Sequence, residues 1–81
     1  MQITVKLFAR ASQLAGRSEV VVEVSEEANV GEFRSALATQ HPELLPIIDS
    51  LFVAINAEYA NDDQLIPESA EVACFPPVSG G

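Results

Sequence analysis

The sequence predicts an α+β fold, a mixed β-sheet rolled around one principal helix. Three observations lead there: two alternating segments precede a capped helical segment, two further strand-like segments follow it, and the apolar share suits a folded core. Apolar residues make up 48% of the 81 and charged residues 20%, a balance that supports ordering and leaves room for a single domain, 1–81.

Each element follows from its own pattern. Met1 to Phe8 alternates, with Ile3, Val5 and Leu7 on one face and Gln2, Thr4 and Lys6 on the other, as a half-solvated strand requires. Ala9 to Ala15 has no β-branched residue and stops at Gly16, so it predicts a short helix or turn ended by a left-handed glycine. The valines between Glu19 and Val24 suit a pleated surface and lie close enough in sequence to pair antiparallel with the first strand.

Asn29 followed by Glu32 has the form of a capping box, and Val30, Phe33 and Leu37 recur at helical spacing. The helix should run about ten residues and end near His41, because Pro42 disfavours helical geometry in the residue before it. Leu44 to Leu51 is apolar but broken by Pro46, which predicts a loop or short helical turn folded onto the core. Phe52 to Asn56 reads as a third strand. Asn61, Asp62 and Asp63 supply turn chemistry, and Val72 to Phe75 forms a last strand stopped by Pro76 and Pro77. The first and last strands are expected side by side in the middle of the sheet.

Charge narrows the function. Twelve acidic residues against four basic ones give a formal charge of −8, which argues against nucleic acid, since affinity for phosphate backbones is built from Lys and Arg. Three of the cations, Lys6, Arg10 and Arg17, precede the first acid, Glu19, and Val72 to Gly81 carries no charged side chain. Whatever receives that tail must accept an uncharged strand ending in one carboxylate. No stretch approaches the ~20 apolar residues of a membrane helix, so no membrane is expected. A lone cysteine and no signal-like segment point to the cytoplasm.

No side-chain constellation for independent catalysis stands out. Cys74 shares a strand face with Val72 and is read as core rather than as a persulfide carrier. His41 has no spaced ligand partner and is read as a helix-end residue near the last carbonyls, so no metal is expected. Glu26 with Glu27, and Asp62 with Asp63, are read as solvated turn acids. Phe75 and Tyr59 have two readings, core aromatics or exposed anchors for a partner. If Val72 and Cys74 face the helix, Phe75 faces away, and the anchor reading is preferred for it.

The run Phe75, Pro76, Pro77, Val78, Ser79, Gly80, Gly81 resembles the terminal signature of the small, sulfur-carrying subunits of molybdopterin synthase, a ubiquitin-like β-grasp family. Leu7, Phe8 and Ala9, the Gly16 turn, the single capped helix, Ala54 to Asn56, and Glu71 to Ala73 extend the resemblance along the whole chain.

The resemblance implies that an ATP-dependent, ubiquitin-activating-like adenylyltransferase activates the Gly81 carboxyl. A sulfur donor protein then converts it to a thiocarboxylate, and the large catalytic subunit uses that sulfur on a pterin precursor. It implies no cofactor bound by this chain. Pro76, Pro77, Val78, Ser79 and Gly80 become an extended flexible tail for insertion, stiff at its proline root and thin at its glycine tip. Phe75, Phe8, Tyr59 and Arg10 become partner-binding residues, Arg10 as part of a polar rim. Two other uses of the same activated carboxyl stay open: sulfur delivery for thiamin or tRNA thiolation, and ubiquitin-like attachment to lysines. A plain protein-binding domain of this fold would not need the terminal glycines.

Overall fold

The computed structural model describes residues 1–77. The chain runs β1 (Gln2–Leu7), α1 (Arg10–Ala15), β2 (Glu19–Glu23), α2 (Val30–Gln40), a 3-10 helix (Pro42–Ser50), β3 (Phe52–Ile55), β4 (Glu58–Ala60) and β5 (Val72–Phe75). The strands form one sheet in the order β2-β1-β5-β3-β4. The central pair β1 and β5 is parallel, and every other neighbouring pair is antiparallel. This is the mixed sheet with one principal helix that the sequence predicts, with the first and last strands in the middle.

One face of the sheet is packed and the other is open. Ile3, Val5 and Leu7 of β1, Val20 and Val22 of β2, Val53 and Ile55 of β3, and Val72 and Cys74 of β5 are all buried, as alternation demands. They join Val30, Phe33 and Leu37 of α2 in one core, with Leu44, Ile48 and Leu51 closing it from the 3-10 segment. The capping box forms: the Asn29 side chain accepts from the Glu32 amide at 2.8 Å, and the Glu32 carboxylate accepts from the Asn29 amide at 3.2 Å. Two otherwise orphaned helix donors are thereby satisfied. Gly16 ends α1 at φ 73°, its amide donating to the Ser12 carbonyl at 2.9 Å.

Three local features differ from the sequence expectations. The stretch from Leu44 to Leu51, expected as a loop or short helical turn folded onto the core, is helical but longer, a nine-residue 3-10 helix that begins at Pro42 and contains Pro46. A fifth strand, β4, was not expected: it is three residues long and folds back from β3 through Asn56 and Ala57, both at positive φ, 51° and 69°. Alanine at a position that usually carries glycine hides the hairpin signal. His41 also differs, because its ring meets a carbonyl of β2 at 3.0 Å instead of the last carbonyls of its own helix.

Arg34 holds the crossover in place. Its Nη1 donates to the carbonyls of Ile48 at 2.8 Å and Leu51 at 2.7 Å, and its Nη2 lies 3.2 Å from Asp62 Oδ1. The 3-10 helix ends at Ser50, so the carbonyls of Ile48 and of Leu51, the extended residue after the helix, have no helical donors, and one largely buried guanidinium supplies both. Arg34→Met should lower unfolding free energy by about 2–4 kcal/mol, since it strands both carbonyls and removes charge-assisted bonds. Phe33→Ala, which opens a cavity beneath α2, should cost about 3–5 kcal/mol. Chemical denaturation of the two variants checks both values, and a midpoint unchanged by Arg34→Met would remove the clamp from the account of the fold.

Candidate docking face and the root of the tail

The open face of the sheet collects aromatic side chains at the end where β1 and β5 both finish. Because these strands are parallel, with Leu7 beside Cys74, the next residues Phe8 and Phe75 emerge together. Their rings stack with centroids 4.8 Å apart and planes 8° from parallel. The Phe8 amide extends the ladder beyond β1 by donating to the Cys74 carbonyl at 3.3 Å.

Tyr59 of β4 meets Phe75 edge-on at 6.3 Å, and Phe52 of β3 lies 5.8 Å from Tyr59. Exposure runs high for such residues: Phe8 43%, Phe52 51% and Tyr59 75%, with Phe75 half-buried among them. Four clustered aromatic rings with this much free surface form a patch that burial elsewhere in the chain does not explain. Phe75 and Tyr59 thus both lie on the open face, outside the packed core.

Beside the rings lies a shallow groove of about 380 Å³ lined by Lys6, Phe8, Ala54, Ala57, Tyr59, Glu71, Ala73 and Phe75. Its floor follows from register: Lys6, Ala73, Ala54 and Tyr59 lie in one row across four strands, and the two alanines in the middle leave a trough between larger neighbours. Lys6 Nζ and Glu71 Oε1 close its polar end at 3.0 Å. The Asn56 amide donates to the Glu71 carbonyl at 2.8 Å, and the Glu71 amide donates to Asn56 Oδ1 at 2.9 Å. The hairpin turn is thereby fastened to the start of β5.

The sequence-predicted residues divide cleanly. Phe75, Phe8 and Tyr59 are brought together; Arg10 opens α1 two residues past Phe8, exposed at the rim. Pro76 and Pro77 continue directly from β5, the first half-buried and the second exposed. Val78, Ser79, Gly80 and Gly81 lie outside the described residues, so the tail tip and the Gly81 carboxyl stand on the sequence alone. Phe52 was missed. Its register partner is Phe75, which assigns it to the open face. In an all-apolar strand, though, alternation gives no contrast to read. That Lys6, Ala54, Ala57, Glu71 and Ala73 meet in one groove follows from strand register, which no local pattern contains.

Cys74 is fully buried in the core, as expected. Loss of hydration pushes its thiol up from 9.0 to about 12, with Arg34 pulling weakly the other way. At neutral pH it carries no appreciable thiolate and is a poor nucleophile. Among the described residues no cluster of three His, Cys, Asp or Glu side chains is placed to hold a metal ion, and no helix is long and apolar enough to cross a membrane.

The five-stranded roll with its single main helix and a central last strand leading to the chain end defines a ubiquitin-like β-grasp domain. The chain belongs to the ThiS family, which it matches over residues 5–81. The molybdopterin synthase sulfur carrier subunit of Chlamydomonas reinhardtii is 32% identical over 83 residues, covering all of both chains. The small archaeal modifier protein 1 of Haloferax volcanii is 37% identical over 84 residues, 94% of this chain and 97% of the relative. The crystal structure of SAMP1 from Haloferax volcanii superposes with a TM-score of 0.86 at 35% identity, covering all of both chains.

Two measurements test the site. If this face docks a partner protein, Phe8→Ala and Tyr59→Ala should each weaken that binding by tenfold or more, about 1.4 kcal/mol or above, with the unfolding midpoint nearly unchanged, because exposed aromatic side chains often dominate interfaces. Titration calorimetry on both variants decides this; unchanged affinity in both would remove the patch from the interface.

Raising the pH tests the thiol. Above pH 9 the unfolded chain loses the Cys74 proton while the folded chain keeps it, so the unfolded state gains the advantage and stability falls from about pH 9 toward 12. Cys74→Ala should show a shallower decline over that window, and parallel curves would show that the thiol does not titrate differently in the two states.

Proposed function

We propose that this chain is the sulfur-carrying small subunit of a molybdopterin synthase, presenting sulfur on the Gly81 carboxyl to a larger catalytic subunit docked on its open sheet face. The observation that carries the reading is the placement of the Phe8, Phe75, Tyr59 and Phe52 cluster at the root of the tail. A partner seated on these rings meets the chain where Pro76 and Pro77 lead off toward Gly81, so docking also aims the carboxyl. The full-length similarity to a molybdopterin synthase sulfur carrier subunit supports the same conclusion.

The chemistry needs no side chain of this protein. A carboxylate is a poor electrophile; attack of its oxygen on the α-phosphorus of ATP, in an activating enzyme, forms the acyl adenylate and releases pyrophosphate. Hydrosulfide or an equivalent sulfur donor then adds to the acyl carbon, AMP departs, and a thiocarboxylate remains. Its sulfur is a softer, stronger nucleophile than the oxygen it replaces. ATP therefore serves the activating partner, this chain holds no cofactor of its own, and the setting proposed is the cytoplasm.

A second reading rests on the 37% identity to a small archaeal modifier protein: the same activated carboxyl joins lysine amines instead of carrying sulfur. One reaction mixture separates the two. With activating enzyme, ATP and a sulfur source, the intact mass should rise by an oxygen-to-sulfur exchange confined to the carboxyl-terminal peptide, and addition of the large subunit together with the pterin precursor should yield the pterin dithiolene. A residue added after Gly81 should abolish transfer. Deletion of Gly81 should do the same, because it withdraws the carboxyl by about 3.5 Å. Sulfur on Cys74, or full activity in the extended chain, would overturn the carrier mechanism; lysine-linked conjugates without pterin sulfuration would establish the modifier.

A further inference from the structure

β2 is an edge strand, and its sequence Glu19-Val20-Val21-Val22-Glu23 is well suited to pairing with another chain. Its bonds to β1 alternate. The amide of Leu7 donates to the Ser18 carbonyl, and that of Val24 to the Met1 carbonyl, so Ser18, Val20, Val22 and Val24 turn their backbone groups inward. Glu19, Val21 and Glu23 turn theirs outward, away from the sheet. An open edge of this composition would template the addition of a strand.

The edge is not open. Gln40, the last residue of α2, reaches around it and pairs with Glu23 at two points: the Glu23 amide donates to Gln40 Oε1 at 2.8 Å, and Gln40 Nε2 donates to the Glu23 carbonyl at 2.9 Å. The side-chain amide reproduces what a residue of a neighbouring strand would offer. Beside it the His41 ring lies 3.0 Å from the Val21 carbonyl, which has only a lone pair to give, so Nε2 carries the proton. Three successive outward-facing groups are thus occupied by side chains from the end of α2.

We propose that Gln40 and His41 form a clasp that closes the β2 edge against strand addition, and that the occupant it excludes is β2 of a second copy of this chain. A second copy fits because antiparallel pairing about a two-fold axis at Val21 sets valine against valine along the middle of both edges. Glu19 then faces Glu23 of the other copy, a like-charge contact that adds to the clasp and leaves pairing unfavourable while the clasp holds. The device keeps the carrier monomeric, so that the aromatic face on a different part of the sheet is the surface left for partners.

The test uses the full chain. In the wild type, hydrogen exchange followed by NMR should show the Glu23 amide exchanging more slowly than the Val21 amide: both face outward on the same edge, but only the Glu23 amide has an acceptor among the described residues. Equal exchange at the two positions would overturn the clasp without recourse to any variant. In Gln40→Ala/His41→Ala the Glu23 amide should exchange about tenfold faster, and light scattering after size exclusion should show a concentration-dependent dimer where the wild type is monomeric.

Adding Val21→Pro, which removes an outward amide that β1 does not use, should return that variant to monomer. A double variant that stays folded and monomeric at millimolar concentration would sink the proposal. A dimer that persists with Val21→Pro would move the contact elsewhere and overturn it equally.

Discussion

The parallel pairing of β1 with β5 is the constraint on which the rest depends. It brings the two ends of the sequence into the middle of one sheet, and parallel strands of one chain require a long crossover between them. Everything between β2 and β5 serves as that crossover: α2 covers the inner face, the 3-10 segment closes its end, and the β3–β4 hairpin supplies the other flank. Because β5 is flanked by β1 and β3, its residues are fixed by ladders on both sides. The tail that follows therefore starts from one of the most constrained strands in the molecule. Whatever follows β5 is positioned only as well as the strand it leaves, and that strand is paired along both edges.

The same pairing creates the open face. In-phase parallel strands bring Phe8 and Phe75 out at the same level, and antiparallel register adds Phe52 and then Tyr59. The inner face gains its order from packing against α2, whereas the outer face keeps rings that stabilise one another only in part. Ala9, which follows Phe8, sits at φ 53° and ψ −128°, a conformation costly for any residue with a Cβ, by about 1–3 kcal/mol. The strain lies where the chain leaves the sheet for α1, immediately after a stacked ring.

Legibility in the sequence followed contrast. The core positions of β1 and α2 could be read because polar and apolar residues alternate at a clear period, and the cap at Asn29 because its partner lies three residues on. β3 could be located but not oriented, since Phe52, Val53, Ala54 and Ile55 are all apolar; only the register with β5 shows that Phe52 belongs outside. β4 escaped because its turn uses Ala57 where glycine would have announced it. Nothing in the local pattern marks Arg34. Its role depends on carbonyls fourteen and seventeen residues away, a relation that no local pattern contains. Strand phase was enough to turn Phe75 away from the core, and the prolines were enough to end β5, but only the register of β1, β3, β4 and β5 brings Phe8, Phe52, Tyr59 and Phe75 into one cluster.

The division between rigid and reactive parts also explains why the core can hold a cysteine safely. Sulfur chemistry at a chain end exposes the protein to donors and to disulfide exchange, and an accessible thiol near that end would compete for the same sulfur. Cys74 lies seven residues before Gly81, yet its side chain points into the core with no solvent contact and its thiol is held protonated. One strand position further along, the side chain would join Phe75 on the outer face. Strand periodicity alone thus decides whether this sulfur is inert packing or an exposed nucleophile, and the inward phase makes it packing.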